Sequence, residues 1–170
     1  ALKTATAALD DPENAVRTYA VRALIKIGPP ESIDRIYSML AENGTYMLKH
    51  NAVPSCLQTL PVDRSDDIIR GLQHPNTAVR EATVAACRAG PLRPTALPAL
   101  LALVNDPSVA LRWRVAEVLG RFRTSTDARA ALLTLVSDPS GAVRNMAALK
   151  LSQMLSSDSR WLGPEGIRLY

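Results

Sequence analysis

The chain has 170 residues, about the length of one domain, with 47% apolar and 21% charged residues, which is ordinary globular composition. Lys and Arg number 20 against 16 Asp and Glu, a mildly basic net charge of +4 without a dense basic stripe. Two cysteines are too few for a disulfide scaffold, and the low Gly and Pro content excludes a fibrous protein. No apolar run approaches the ~18 residues of a membrane span, which excludes a membrane protein.

A seven-residue motif recurs along the chain at nearly constant spacing. It reads DPENAVR at residues 11–17, HPNTAVR at 74–80, DPSVALR at 106–112 and DPSGAVR at 138–144, with a weak copy, NGTYMLK, at 43–49. The motifs start at 11, 43, 74, 106 and 138, in steps of 32, 31, 32 and 32 residues. Such self-similarity predicts a tandem array of five structural repeats.

Each repeat is predicted to hold two helices, one before and one after its motif. Apolar residues recur four apart before each motif start, and apolar or small residues recur at 5, 9 and 13 residues after it, which is the spacing of one helix face. The Asp-Pro pair separates the helices: we expect Asp to cap the second helix and Pro to occupy its first turn. The predicted first helices include Ser32–Glu42, Arg64–Gln73, Thr95–Asn105 and Thr126–Ser137.

The thirteenth position after each motif start is occupied by leucine or cysteine. Helices in contact lie ~8–10 Å apart, whereas a disulfide needs Cα atoms within ~7 Å. We therefore expect Cys56 and Cys87 to be reduced core residues, neither a bridge nor a metal pair, which is compatible with a cytoplasmic location. The residues at this position are Leu24, Cys56, Cys87, Leu119 and Leu151.

The D-P-x-x-x-[VL]-R motif and the A-x-x-[AL]-L pattern that follows it resemble the HEAT repeat, in particular the short bacterial variety also seen in phycobilisome-lyase-type proteins. The resemblance covers residues 1–155, with units starting near 1, 30, 62, 94 and 126. It implies an all-α fold, a right-handed α-α superhelix of about five stacked hairpins whose second helices line the concave side. The second unit departs from the pattern, and Pro54 is expected to kink its second helix because it cannot donate to the His50 carbonyl.

A basic residue stands six positions after every motif start. One interpretation is a ladder of charge for an acidic ligand. The favoured interpretation is structural, because a residue shared by every unit marks the scaffold rather than one site, and the resemblance implies an Asp–Arg ladder between repeats. The residues are Arg17, Lys49, Arg80, Arg112 and Arg144.

The fourth unit carries the most unusual surface residues, because Trp113 stands where other units have Thr18, His50, Glu81 and Asn145. An exposed Trp among arginines is typical of interface hot spots. Trp113 can equally be a partly buried residue that fills space between its neighbours, and the sequence leaves both interpretations open. The candidate partner-binding residues are Arg22, His50, Arg88, Trp113, Arg114, Glu117 and Arg121.

These features favour a non-enzymatic scaffold that binds a protein or peptide on its concave face, with no cofactor, no metal and no membrane. The chain has no G-x-S-x-G, glycine-rich phosphate loop or C-x-x-C motif. Nucleic-acid binding along the same groove, as in HEAT-like DNA-repair glycosylases, is a second hypothesis supported by Arg112-Trp113-Arg114. A third, a bilin-lyase-type or other HEAT-based enzyme subunit, follows from the resemblance alone.

The segment 156–170 breaks the repeat pattern with a serine cluster followed by Gly-Pro and Gly. Trp161 and Leu162 either cover the apolar end of the last unit or begin a further segment of a longer protein. The second alternative is slightly favoured, because the sequence also opens in the middle of a predicted helix.

Overall fold

The computed structural model describes the backbone of residues 2–29, 31–49 and 52–156, and the side chains of 3–29, 31–42 and 53–156. Over these residues the protein is all-α, without a β-strand, and the predicted all-α repeat fold is confirmed. None of the described helices is long and apolar enough to cross a membrane. The α-helices are α1 Leu2–Ala7, α2 Asn14–Ile27, α3 Ser32–Lys49, α4 Ala52–Leu57, α5 Ser65–Leu72, α6 Thr77–Ala89, α7 Leu97–Ala102, α8 Val109–Leu119, α9 Thr126–Leu135 and α10 Gly141–Ser156.

The helices form two compact units, Ala1–Ala99 and Leu100–Tyr170, and the division falls within α7. In the first unit α2 packs against α1, α3 and α4, while α6 packs against α3, α4 and α5. In the second unit α8, α9 and α10 pack against one another. Each unit thus joins consecutive hairpins, because one hairpin alone cannot bury its apolar face.

The Asp-Pro turn does not cap the second helix in the predicted way. Oδ1 of Asp106 accepts the backbone N–H of Ser108 at 2.9 Å, which closes a turn before the helix. The cap is Ser108, whose Oγ accepts the N–H of Leu111 at 3.2 Å. The predicted roles of Asp and Pro were therefore wrong. The aspartate side chain accepts a hydrogen bond within its own turn and not from the helix, and Pro107 precedes the cap instead of lying in the first helical turn.

The second repeat shows what happens without the proline. The first helix was predicted to end at Glu42, but α3 continues to Lys49, because no proline interrupts its hydrogen bonds. Pro54 is the third residue of α4, within the first turn, where a missing N–H breaks no intrahelical bond. The kink predicted at Pro54 involves His50, which lies outside the described residues.

The other first helices match the predicted ranges with shorter α-helical centres. Val62–Arg64 and Pro94–Ala96 are 3-10 turns that precede α5 and α7, and Leu103–Asn105 is a 3-10 turn that follows α7. Helix ends commonly tighten in this way. The predicted core position is confirmed in four repeats: its side chains are buried at Leu24, Cys56, Cys87 and Leu119. Leu151 is only half-buried.

A buried polar network crosses the first unit. The Asp67 carboxylate accepts Nε of Arg64 at 2.6 Å and Nη2 of Arg70 at 2.7 Å, so its charge is neutralised where water is excluded. The Tyr37 hydroxyl donates to the backbone carbonyl of Asp67 at 2.8 Å. Burial raises the pKa of Tyr37 far above its usual range, so the hydroxyl remains a donor at any physiological pH.

Gly71 provides the room that this network needs. A Cβ placed on Gly71 would lie 2.4 Å from Oγ1 of Thr83 and 2.5 Å from the Tyr37 hydroxyl oxygen. Both neighbours are buried and fixed by hydrogen bonds, since Thr83 donates to the Val79 carbonyl at 2.8 Å. Only a residue without a side chain therefore allows α5 to approach these two hydroxyls.

Gly71→Ala is expected to lower the free energy of unfolding by about 1–3 kcal/mol, the cost of forcing a methyl group into a filled core. Urea unfolding followed by circular dichroism measures the loss. Gly141→Ala is the matched control, because the nearest atom to its new Cβ is Nη2 of Arg144 at 3.4 Å. That control should be neutral or slightly stabilising. Equal losses in both variants would contradict the steric explanation.

Candidate partner-binding surface

Three of the four predicted residues of the fourth repeat lie on one side of α8, and the fourth, Arg121, lies in the turn that follows the helix. Leu111, Val115 and Leu119 are buried on the opposite side. Positions 113, 117, 120 and 121, together with 114, fall within about 120° of arc at 100° per residue. All five are half-buried. The α8 surface comprises Trp113, Arg114, Glu117, Gly120 and Arg121.

Trp113 is half-buried, which is the burial that the alternative of a partly buried, space-filling residue predicts. Its ring stacks on no aromatic or cationic group, and its indole N–H makes no hydrogen bond, with any residue that the structure describes. Arg114 likewise has no hydrogen bond or ion pair within the described ranges. Among the described residues neither of these two side chains has a polar partner, whereas Glu117 and Arg121 both interact within the chain.

The neighbouring helix α10 extends this surface. A Cβ on Gly120 would lie 2.7–2.8 Å from the aliphatic carbons of Lys150, so the lysine stem crosses α8 at the glycine. The Lys150 ammonium donates to Oε1 of Gln153 at 3.3 Å. The second unit therefore presents an aromatic ring together with arginine and lysine side chains on α8 and α10.

The predicted residues of the first unit have different surroundings. The Arg22 guanidinium lies 5.9 Å from the ring centroid of exposed Tyr19. Burial raises the pKa of the Cys56 thiol, and the nearby Arg22 guanidinium opposes that shift. Arg88 is exposed on α6 and interacts within the chain. His50 lies outside the described residues.

The arginines of the motif are structural, as the favoured interpretation held. In the four motifs whose side chains are described, Nη1 donates to the carbonyls of the first two motif residues at 2.6–3.3 Å. The predicted ladder is present in the second unit, where Arg112 binds the Asp138 carboxylate through Nε at 2.7 Å and Nη2 at 3.0 Å. The clamping arginines are Arg17, Arg80, Arg112 and Arg144.

The ladder contact changes the acidity of Asp138. The Arg112 guanidinium holds the pKa of this carboxyl below its usual range, and the Ser140 N–H acts in the same direction. The Asp138 side chain is only 4% exposed. Because the folded pKa lies below the unfolded value, the contact stabilises the second unit above pH ~4 and is lost as the pH falls.

Sequence reasoning missed Arg93, one of the most buried charged residues described. It is 3% exposed, and its Nη2 and Nη1 donate to the backbone carbonyls of Leu60 and Pro91. Burial lowers the pKa of this guanidinium. The sequence gives no signal for this role, because Arg93 lies in a Pro-flanked loop outside every repeated column. It joins two loops of the first unit.

A groove of about 450 Å³ lies at the start of the first unit, away from the predicted residues. It is lined by residues of α1 and of the segment leading into α3, and Asp10 at its edge forms an ion pair with Arg35. Among the described residues, no cluster of three His, Cys, Asp or Glu side chains could hold a metal ion. The groove lining is Lys3, Thr6, Ala7, Asp10, Pro29 and Ser32.

Comparison with known proteins defines the class. HEAT repeats match residues 65–152, more than half of the chain, and the PBS lyase HEAT-like repeat matches residues 16–42. The chain belongs to the HEAT-repeat family, and it is a helical repeat scaffold of the kind that typically mediates protein interactions.

Two further comparisons give no information about function. No curated protein matches the chain. The crystal structure of an engineered protein is 18% identical over 91% of this chain and 79% of its own, with a TM-score of 0.46. This similarity is too low to carry an argument about function.

Asp138→Asn is expected to destabilise the second unit by about 1–3 kcal/mol at neutral pH, because a charge-assisted contact to Arg112 is lost. The variant should also lose less stability than the wild type between about pH 4 and pH 2, since its side chain has no proton to gain. Urea unfolding followed by Trp113 fluorescence in a Trp161→Phe background measures both. Asp127→Asn, an exposed change on α9, is the control and should keep the wild-type acid response.

Proposed function

We propose that this chain is a non-enzymatic scaffold that binds a protein or peptide through its second helices. The α8 surface is the centre of the interaction in the second unit, and Trp113 is its anchor. For the first unit by itself, Arg22 and Arg88 are the proposed contacts. The assignment of His50 as a contact, and of the second helices to a concave face, stays a prediction from the sequence.

The observation that supports the proposal is a difference in hydrogen bonding between the arginines of the motif and Arg114. The motif arginines donate hydrogen bonds to the turn carbonyls, and Arg112 also binds the Asp138 carboxylate. Arg114, two residues later, makes no such bond with described residues and lies beside a half-buried Trp whose N–H is also unused. Trp and Arg in this setting are the residues in which interfaces concentrate their binding energy.

Rigidity supports the same function. The helix that carries the α8 surface is fixed by the buried residues Leu111, Val115 and Leu119 and by packing against α9 and α10. The backbone of a packed helix is already ordered when a partner arrives, so no backbone freedom is lost on binding and more of the contact energy contributes to affinity. A scaffold of this kind needs no chemistry of its own.

Nucleic-acid binding is the main competing function. Arg114 and Trp113 could contact a phosphate and stack on a base, but acidic residues such as Glu117 interrupt the surface, and the net charge is only +4. A lyase-type activity has less support, because the PBS lyase HEAT-like match spans only residues 16–42. The first competitor is tested directly with short single- and double-stranded DNA.

Trp113→Ala is expected to weaken peptide binding at least about 30-fold, which corresponds to a hot-spot loss of about 2 kcal/mol. The probes are fluorescent peptides selected from a random displayed library against the full chain, and anisotropy gives their Kd. Arg114→Glu should weaken the same peptides, because it reverses charge on the α8 surface.

Arg123→Glu is the matched control, since Arg123 is exposed in the turn after α8 and lies outside the α8 surface. Circular dichroism must show unchanged helical content in all three variants. Peptides that bind all three variants as tightly as the wild type would refute the site. Salt-sensitive DNA binding lost in Arg114→Glu, with no peptide selected, would assign the surface to nucleic acid.

A further inference from the structure

The third repeat closes its motif turn with a histidine where other repeats use an aspartate. In three motifs, Oδ1 of the first residue accepts the backbone N–H two residues later, at 2.8–2.9 Å. At the same place in the third motif, Nδ1 of His74 accepts the N–H of Asn76 at 3.1 Å. The imidazole therefore takes the role of a carboxylate in one of the four turns whose side chains are described. The aspartates in the other three are Asp11, Asp106 and Asp138.

The histidine changes the pH range over which this turn can keep its hydrogen bond. A carboxylate is ionised and accepts hydrogen bonds above about pH 4, whereas an imidazole takes up a proton between about pH 5 and 8. A protonated imidazole carries a hydrogen on both nitrogens and can only donate. The Nδ1 hydrogen of a protonated His74 would face the Asn76 N–H, so their bond would be lost. The closed turn therefore requires the neutral ring with its hydrogen on Nε2.

The groups packed around His74 do not favour an added positive charge. The His74 ring lies 6.1 Å from the ring of Tyr37 on α3, whose hydroxyl stays neutral because burial raises its pKa. Nη1 of Arg80 on α6 donates to the His74 carbonyl at 2.9 Å, and this cation opposes a second one in the same turn. The Asp67 carboxylate of α5 is already bound to Arg70. Among the described residues no carboxylate pairs with the His74 ring.

The turn closed by His74 also holds the start of α6. Asn76, whose N–H completes the turn, caps the helix by accepting the N–H of Ala78 at 2.8 Å. Nδ2 of Asn76 donates to the Ala41 carbonyl of α3 at 3.3 Å. Because one residue makes all three bonds, loss of the His74 bond loosens both the cap of α6 and its link to α3.

We propose that His74 makes the third repeat a proton-sensitive switch. At neutral pH its imidazole closes the turn between α5 and α6, and protonation opens that turn. The closed turn excludes the proton and the open turn accepts it, so the open form gains as the pH falls. A histidine in water has a pKa of ~6.5, which gives about a tenfold rise in the open population between pH 7.5 and pH 5.5. Turns closed by aspartate keep their bonds over this range.

Hydrogen exchange at the Asn76 amide, measured by NMR on the full chain, tests the proposal. His50→Gln leaves His74 as the sole histidine and gives one imidazole signal to follow. After correction for the intrinsic exchange rate, the protection of the Asn76 amide should fall about tenfold between pH 7.5 and pH 5.5. Nitrogen-15 shifts of the imidazole should show Nδ1 without a hydrogen at pH 7.5.

His74→Asp in the same background is the matched control, because it installs the aspartate of the other motifs. Its Asn76 protection should not change between the two pH values. The Ser108 amide, held by Asp106, is an internal reference in every variant and should also stay constant. Asn76 protection that is the same at both pH values with His74 in place, or a hydrogen on Nδ1 at pH 7.5, overturns the proposal. An equal fall at Asn76 and Ser108 would also overturn it, because the whole chain would then be loosening.

Discussion

The structure depends on one recurring contact, the donation of an arginine Nη1 to two successive turn carbonyls. These carbonyls follow a first helix and precede a second, where no helical partner can reach them, and each would be costly to leave without a donor. Because the guanidinium is planar and always charged, it satisfies both carbonyls and still offers its other edge to a neighbouring repeat. At Arg112 that edge holds Asp138, so one side chain fixes a turn and joins two hairpins.

This contact also shows where many of the arginines of this mildly basic chain direct their charge. Much of the positive charge is turned inward, toward carbonyls at the motif turns, toward Asp67 at Arg64 and Arg70, and toward loop carbonyls at Arg93. Such groups neutralise or bridge parts of the scaffold and contribute little to an outward field. The charge of Arg114 on α8, which no described residue neutralises, adjoins the ring of Trp113.

Three features could be predicted because they recur along the chain: the repeat period, the two helices of each repeat, and the buried position 13 residues after each motif start. A residue that must be apolar in every unit, such as Leu24 or Leu119, leaves the same signal five times, and the basic column did so as well. Features that occur once could not be predicted in this way. Gly71 is required by two hydroxyls that meet it from other helices, and Arg93 by carbonyls of two loops; neither need is visible in local sequence.

The candidate site lies between these cases. Its arc on α8 follows from helix geometry and was predictable, whereas the half-burial of Trp113 depends on packing by neighbours that the sequence does not specify. The Asp-Pro turn shows the same limit at finer scale. Its residue types correctly predicted a break between helices, but the carboxylate could bond either the helix or its own turn, and only the backbone path decided between them.

The burial of Cys56 has a consequence for redox chemistry. Its thiol is buried and its pKa is raised, so little reactive thiolate is present at neutral pH. Oxidants and alkylating reagents would reach the sulfur only when the first unit opens. The rate of thiol modification in the native protein therefore measures how often the first unit opens. Oxidative damage would occur in molecules that have already opened rather than in the intact fold.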